Sequence, residues 1–157
     1  MLKEEFEERY GSKYTLSRCR EGACTLKDIS RENYFIIDGD EIKNSAEKSV
    51  DCIIINLKND NENNYEIILC ELTTGKKDLK DAILKFKASD KLIIEYLSQI
   101  NKHVTKIKCL LLGDIKENGK VIDGKILNAN QFMIEGFSKK NIIQNESCGY
   151  SITKLQS

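Results

Sequence analysis

Two carboxylates frame the most apolar part of this chain. Asp51 opens the run Asp51-Cys52-Ile53-Ile54-Ile55-Asn56-Leu57, and Glu71 closes the run Tyr65-Glu66-Ile67-Ile68-Leu69-Cys70-Glu71. The segment between them, Lys58 to Asn64, is rich in Asn and Asp, which bond their own backbone and tolerate left-handed turns. The two runs therefore read as a β-hairpin. If it folds about Asn61, residues equidistant from Asn61 face one another, setting Asp51 opposite Glu71 and Cys52 opposite Cys70. Facing residues on one side of a sheet have Cβ atoms roughly 5 Å apart, so two carboxylates placed this way can share one divalent cation. Like charges opposed across a sheet repel, and burial raises a carboxyl pKa. A bound cation relieves both costs. A slip of one residue would undo the pairing. The plainer alternative is that Asp51 merely begins a strand and Glu71 merely ends one, both in water.

A chain of 157 residues is one domain, 1–157, long enough to bury a core. Its formal net charge is zero, so any nucleic-acid contact must come from a local basic patch. No apolar run approaches the roughly 18 residues of a membrane span. The first ten residues, MLKEEFEERY, are acidic and lack a signal-peptide core. The expected location is the cytoplasm, with no membrane partner. Of the six cysteines, Cys52, Cys70 and Cys109 lie in apolar runs, where a thiol acts as a small hydrophobe. Cys19 and Cys24 have no second pair at zinc spacing. Reduced, structural thiols are expected; a Cys19–Cys24 disulfide is the alternative in a cytoplasm such as that of hyperthermophiles. None is expected to be catalytic, and Cys52 and Cys70 should face away from the two acids by strand alternation.

Around this hairpin the chain supplies further elements. Leu2, Phe6 and Tyr10 recur at helical spacing among glutamates, predicting a short helix that ends at Gly11. Ser12 to Arg31 reads as irregular. Tyr34 to Ile37 reads as a strand closed by Asp38-Gly39-Asp40, and Glu41 to Ser49 as a polar loop. Gly75 is expected to break the chain. Asp78 is a plausible N-cap for a helix whose stripe is Leu79, Ile83, Phe86, Ile93, Leu97 and Ile100, with an interruption at Ser89-Asp90. His103, the sole histidine, reads as the C-terminal cap of that helix rather than a catalyst. Lys106 to Leu112 is a buried strand ending at Gly113-Asp114. The remainder, about 115–157, reads as a small α/β or hairpin extension, with a turn-like KENGK and an apolar stretch at Phe132-Met133-Ile134.

The fold class is thus mixed α/β (α+β), in the order helix, strand, strand, strand, helix, strand over about 1–114. That order, with an Asp opening the second strand and Glu71-Leu72-Thr73 closing the third, resembles the core of the PD-(D/E)XK, or restriction-endonuclease-like, nucleases. The resemblance implies that Asp51 and Glu71 hold Mg²⁺ or Mn²⁺, that the carbonyl of Leu72 adds a ligand, and that a glutamate of the first helix contributes, Glu5 being the nearest candidate. Hard oxygen donors suit these ions. The implied activity is hydrolysis of DNA phosphodiester bonds, the metal activating a water. The implied partner is DNA, with RNA open and a homodimer compatible with the fold.

The chain departs from the family motif where a lysine is expected two residues after the Glu: here stands Thr73. Lys76 and Lys85 are the candidates to replace its charge, and Lys76 is preferred because Gly75 gives the chain freedom to turn. Arg18, Arg20, Lys76, Lys77 and Lys80 form the expected nucleic-acid path, the last three next to a helix N-terminus. Three functions compete. The first is the metal-dependent nuclease. The second is a nuclease-like domain without chemistry that binds nucleic acid or protein, motivated by Thr73. The third is an interaction protein in which the acids are only strand-end charges.

Overall fold

The computed structural model describes residues 1–42, 48–117, 119–121, 126–127 (backbone) and 143–155. It is a mixed α+β fold whose core is mostly sheet. Helix α1 (Leu2–Tyr10) buries Leu2 and Phe6, the Phe6 ring meeting Phe35 edge-on at 5.5 Å. Short β1 (Thr15–Leu16) follows, then β2 (Cys19–Glu21) and β3 (Cys24–Leu26), which pair with each other as a separate hairpin. The stretch read as irregular therefore contains three strands. They are only two or three residues long, too short for alternation to register.

Next come β4 (Tyr34–Asp38), the single-turn helix α2 (Gly39–Ile42), β5 (Cys52–Asn56) and β6 (Asn64–Asp78). Helix α3 (Leu79–Ser98) crosses back to β7 (His103–Glu117), and β8 (Lys120–Val121), β9 (Ile126–Leu127) and β10 (Ile143–Glu146) complete the sheet. Its order is β1-β4-β5-β6-β7-β10-β9, with β8 against the far end of β7. β4, β5 and β6 run antiparallel; β6 and β7 are parallel, as a helical crossover requires. β10 runs parallel to β7, so part of the expected C-terminal extension joins the main sheet. Phe132-Met133-Ile134 lie outside the described residues.

The sheet separates two cores by alternation. Phe35, Ile37, Ile53, Ile55, Ile67, Leu69 and Leu111 face α1 and α3. Ile36, Cys52, Ile54, Ile68, Cys70, Leu72 and Leu112 face the β2–β3 hairpin and Ile152. Each fully buried aliphatic side chain stabilises by about 1.5–3 kcal/mol over exposure, so the two faces together outweigh any surface charge pair.

Several local expectations change. Gly75 does not break the chain: β6 continues to Asp78, and its register against β7 shifts between Leu72 and Lys76. Leu72 pairs with Leu112 and Lys76 with Asp114, so Thr73–Gly75 form a bulge. Helix α3 runs through Ser89 and Asp90, both buried, without interruption. The Asp78 cap is present, its side chain accepting from Lys80 N at 2.9 Å. His103 starts β7 and is exposed; α3 is closed instead by Lys102 N donating to Leu97 O at 2.9 Å, past left-handed Asn101. The strand read as Lys106 to Leu112 is longer, because its ends are half-exposed and carry no apolar run. Gly39–Ile42 is helical, and 43–47 lie outside the described residues.

The cysteines depart furthest. Cys19 bonds Cys52 and Cys24 bonds Cys148, with Cα separations of 5.8 and 4.8 Å, while Cys70 and Cys109 stay free and buried. Cys19 and Cys24 do not meet because Cys19 lies opposite Leu26 in the hairpin, and each reaches an element beneath it. Cys52 and Cys70 lie in the core beneath the hairpin, on the face away from α1 and α3.

Candidate active site at the end of the central strands

In β5 and β6, Cys52 faces Cys70, Ile53 Leu69, Ile54 Ile68 and Ile55 Ile67, the register that pivots on Asn61. Asp51 stands one residue before this ladder and Glu71 one residue after Cys70. Asp51 N donates to Glu71 Oε1 at 3.1 Å, and Leu72 N donates to Asp51 Oδ2 at 2.8 Å. Each acid is thus held by the backbone beside the other. Glu71 is fully buried. Its Oε2 meets Lys85 Nζ at 2.5 Å and Lys77 Nζ at 3.2 Å. Burial, then the Glu71 charge, pushes the Asp51 carboxyl up to about 8. For Lys85, burial alone would lower the pKa, but its hydrogen bond to Glu71 and that charge outweigh it and hold the ammonium above its ordinary value.

The fold places these groups through close backbone approaches. Gly39 N donates to Asp51 O at 3.1 Å, and a Cβ at Gly39 would lie 1.8 Å from Val50 O, so only glycine fits. On the other side, the buried Ser89 hydroxyl accepts from Val50 N at 2.8 Å and from the Ser49 hydroxyl at 2.7 Å, and donates to Lys85 O at 2.7 Å. Ser89 therefore ties the approach to Asp51 to the helical turn that carries Lys85. Gly113, at φ 111, lets β7 pass the bulge, where a Cβ would lie 2.5 Å from Thr73 O.

Two further acids join Asp51. Carboxylate oxygens of Glu21, Asp40 and Asp51 lie within 4.8 Å of one another. Asp40 follows Gly39 on α2, whose first turn is capped by Asp38 Oδ1 accepting from Asp40 N at 3.0 Å. The Asp-Gly-Asp pattern is visible in sequence but reads only as a turn. Glu21 gives no sequence signal, because the hairpin that carries it is brought over the sheet by distant partners.

The remaining predicted residues divide. Lys85, the less favoured substitute, meets Glu71, as does Lys77, expected to bind nucleic acid. Lys76 does not: it is exposed, and alternation turns it from the face that Lys77 and Glu71 share. The preference for Lys76 rested on a turn at Gly75 that is not there. Thr73 is half-buried, its hydroxyl accepting from Gly75 N at 3.1 Å. Leu72 contributes its N–H to Asp51 and buries its side chain on the opposite face. Glu5 is at the other end of the sheet, paired with Lys102 at 3.1 Å beside Asn63. At roughly 3.3 Å per residue along β6, that is about 26 Å from Glu71, so Glu5 offers no ligand here. Arg18, Arg20 and Lys80 are exposed, and Arg20 Nε donates to Gly22 O at 2.7 Å.

Comparison of the chain with protein-family models, with curated proteins and with solved structures found no match.

Proposed function

We propose that this chain is a metal-dependent nuclease of the PD-(D/E)XK kind, hydrolysing DNA phosphodiester bonds at the Asp51–Glu71 end of the sheet. The observation that carries the reading is the meeting of Asp51, Glu71 and Lys85 at one point, from two adjacent antiparallel strands and the crossover helix. With the short β1, β2, β3 and α2 set aside, the order α1, β4, β5, β6, α3, β7 supports it.

The donor set fits Mg²⁺ or Mn²⁺. Asp51, Asp40 and Glu21 offer hard oxygens within 4.8 Å of one another, and Glu71 adjoins Asp51. An acid whose pKa is raised by burial and then by the charge of an adjacent buried acid is the electrostatic situation a divalent cation relieves. Asp51 and Glu71 would hold the ion, with Asp40 and Glu21 adding charge. When bound, such an ion activates a water and offsets charge on the scissile phosphate. The chain's own part is positioning and charge. Leu72 N–H orients Asp51. Glu71 orients the two ammonium groups, and Lys85 takes the role of the motif lysine, stabilising negative charge as it develops on phosphate. Exposed Arg18, Arg20, Lys76 and Lys80 steer the phosphate backbone. A cytoplasmic setting goes with this reading only where the cytoplasm preserves disulfides, as in hyperthermophiles.

The test is cleavage of linear and supercoiled DNA with Mg²⁺, Mn²⁺ or EDTA. Metal-dependent cleavage lost in both Asp51→Ala and Glu71→Ala is the expected result. Cleavage that is absent, or that survives in those variants, rejects the reading. Thr73 favours a second reading, a nuclease-like module that binds nucleic acid without cutting it. That module would bind DNA with a steep salt dependence and show no turnover under any metal.

A further inference from the structure

Among the described residues, the β2–β3 hairpin pairs with no strand of the main sheet. Cys19, Cys24 and Leu26 pack on the face opposite α3, and among the described residues backbone bonds hold its trailing end alone, where Thr25 and Lys27 meet Gly149, Tyr150 and Ile152. A two-stranded hairpin of this size is marginal by itself. Yet each of its strands is covalently fixed, by Cys19–Cys52 and by Cys24–Cys148. Both anchors adjoin the site. Cys52 directly follows Asp51, and Cys148 Sγ lies 3.3 Å from Thr73 O. Glu21 ends β2 beside the turn, and a Cβ on Gly22 would touch Thr74 at 3.1 Å.

We propose that the two disulfides form a redox clasp: oxidised, they hold the hairpin and Glu21 against the Asp51 end of the sheet; reduced by a dithiol, they release it and weaken divalent-cation binding. The order of events follows from burial. Cys19, Cys24 and Cys52 are buried, whereas Cys148 is exposed. A reductant thiolate therefore attacks Cys148 Sγ first, breaking its bond to Cys24 and forming a mixed disulfide. The reductant's second thiol then displaces Cys148, leaving the reductant oxidised to its own disulfide and two cysteine thiols on the protein. Loosening of the hairpin exposes Cys19–Cys52 to the same two-electron exchange.

The cation half of this inference rests on the metal-site reading; the hairpin half does not. The experiment compares full-length oxidised protein with protein treated with dithiothreitol, by hydrogen exchange and by calorimetry with Mg²⁺. On reduction, amides of Cys19–Leu26 should exchange at least ~10-fold faster, amides of β5, β6 and α3 should keep their protection, and Mg²⁺ affinity should fall several-fold. Should the fully reduced protein unfold, Cys24→Ser/Cys148→Ser, which keeps Cys19–Cys52, provides the same comparison without reductant. Unchanged hairpin exchange, equal Mg²⁺ affinity in both forms, or six free thiols in protein never exposed to reductant would each overturn the clasp. If oxidised protein takes up no divalent cation, the metal-site reading fails separately, and hairpin exchange alone decides whether the clasp exists.

Discussion

The ammonium of Lys85, on the helix that crosses back over the sheet, lies 2.5 Å from Oε2 of Glu71, midway along β6. Position 73, two residues beyond Glu71 on that strand, carries an uncharged threonine. The cation therefore reaches the carboxylate from α3, one turn before Ser89, whose hydroxyl fixes the backbone leading into Asp51.

Lys85→Met is expected to lower single-turnover cleavage by about 100-fold or more, the loss typical of one charge-stabilising contact, with DNA affinity little changed. Lys77→Met should cost less, since Lys85 still neutralises Glu71, and Lys76→Met should leave the rate intact. Rapid-quench assays with saturating DNA measure all three. Full rates in Lys85→Met would remove it from the chemistry and leave the metal alone to activate the water.

Asp51 makes the metal-free protein sensitive to pH. Its folded-state pKa of about 8 lies above the ordinary 3.8. A raised carboxyl binds its proton more tightly when folded, so its contribution is fully present below about 4 and is lost as pH rises through 8. Thermal unfolding in EDTA should show stability falling across that interval. Asp51→Asn should flatten the fall and be the more stable protein at pH 8. Added Mg²⁺ should oppose the fall in the parent protein and do nothing for the variant.

The hairpin register was legible because two apolar runs of matched length flank a turn rich in Asn and Asp, which fixes the pivot and puts Asp51 beside Glu71. The Asp78 cap was legible for a similarly local reason. What lay beyond reach was nonlocal. Strand parity survives the Thr73–Gly75 bulge, so Lys77 rather than Lys76 shares the face of Glu71, and nothing in the local pattern signals that two residues have been inserted. The cysteine pairing and Glu21 both depend on a hairpin of three-residue strands, whose position is set by partners 33 and 124 residues away.

Gly39 and Gly75 should respond in opposite ways to alanine. At Gly39 the new Cβ would meet backbone, Val50 O at 1.8 Å, and backbone cannot rotate away. Gly39→Ala is expected to cost about 1–3 kcal/mol, as overpacking does, and to weaken Mg²⁺ binding by displacing Asp40 and Asp51. At Gly75 nothing lies within 4 Å, so Gly75→Ala should be neutral or slightly stabilising through the unfolded chain. Denaturant unfolding of the two variants separates the cases. A Gly39→Ala protein as stable as the parent would show that the segment around Val50 is not packed as described.

Asp90 supplies a second, separable pH dependence, away from the site. It lies on the buried face of α3, 1% exposed, and among the described residues neither carboxylate oxygen has a hydrogen-bond partner. Burial pushes its pKa up to about 6, against the smaller opposing pull of the Lys91 charge. The group is neutral in the folded protein at pH 5 and must ionise without a partner by pH 7. Its contribution is therefore present below about 4 and lost as pH rises through 6, a narrower interval than that of Asp51. Asp90→Asn keeps the shape and removes the ionisation. It should raise stability at pH 8 by about 3 kcal/mol, the linkage energy of a shift of this size, and change it little at pH 4. Because Asp90 sits a full turn from Lys85, Mg²⁺ affinity and cleavage should stay at the parent level. Unfolding curves of the parent, Asp51→Asn, Asp90→Asn and the double variant between pH 4 and 8 resolve the two slopes. An Asp90→Asn curve that parallels the parent throughout would mean that this carboxylate finds a compensating partner in solution.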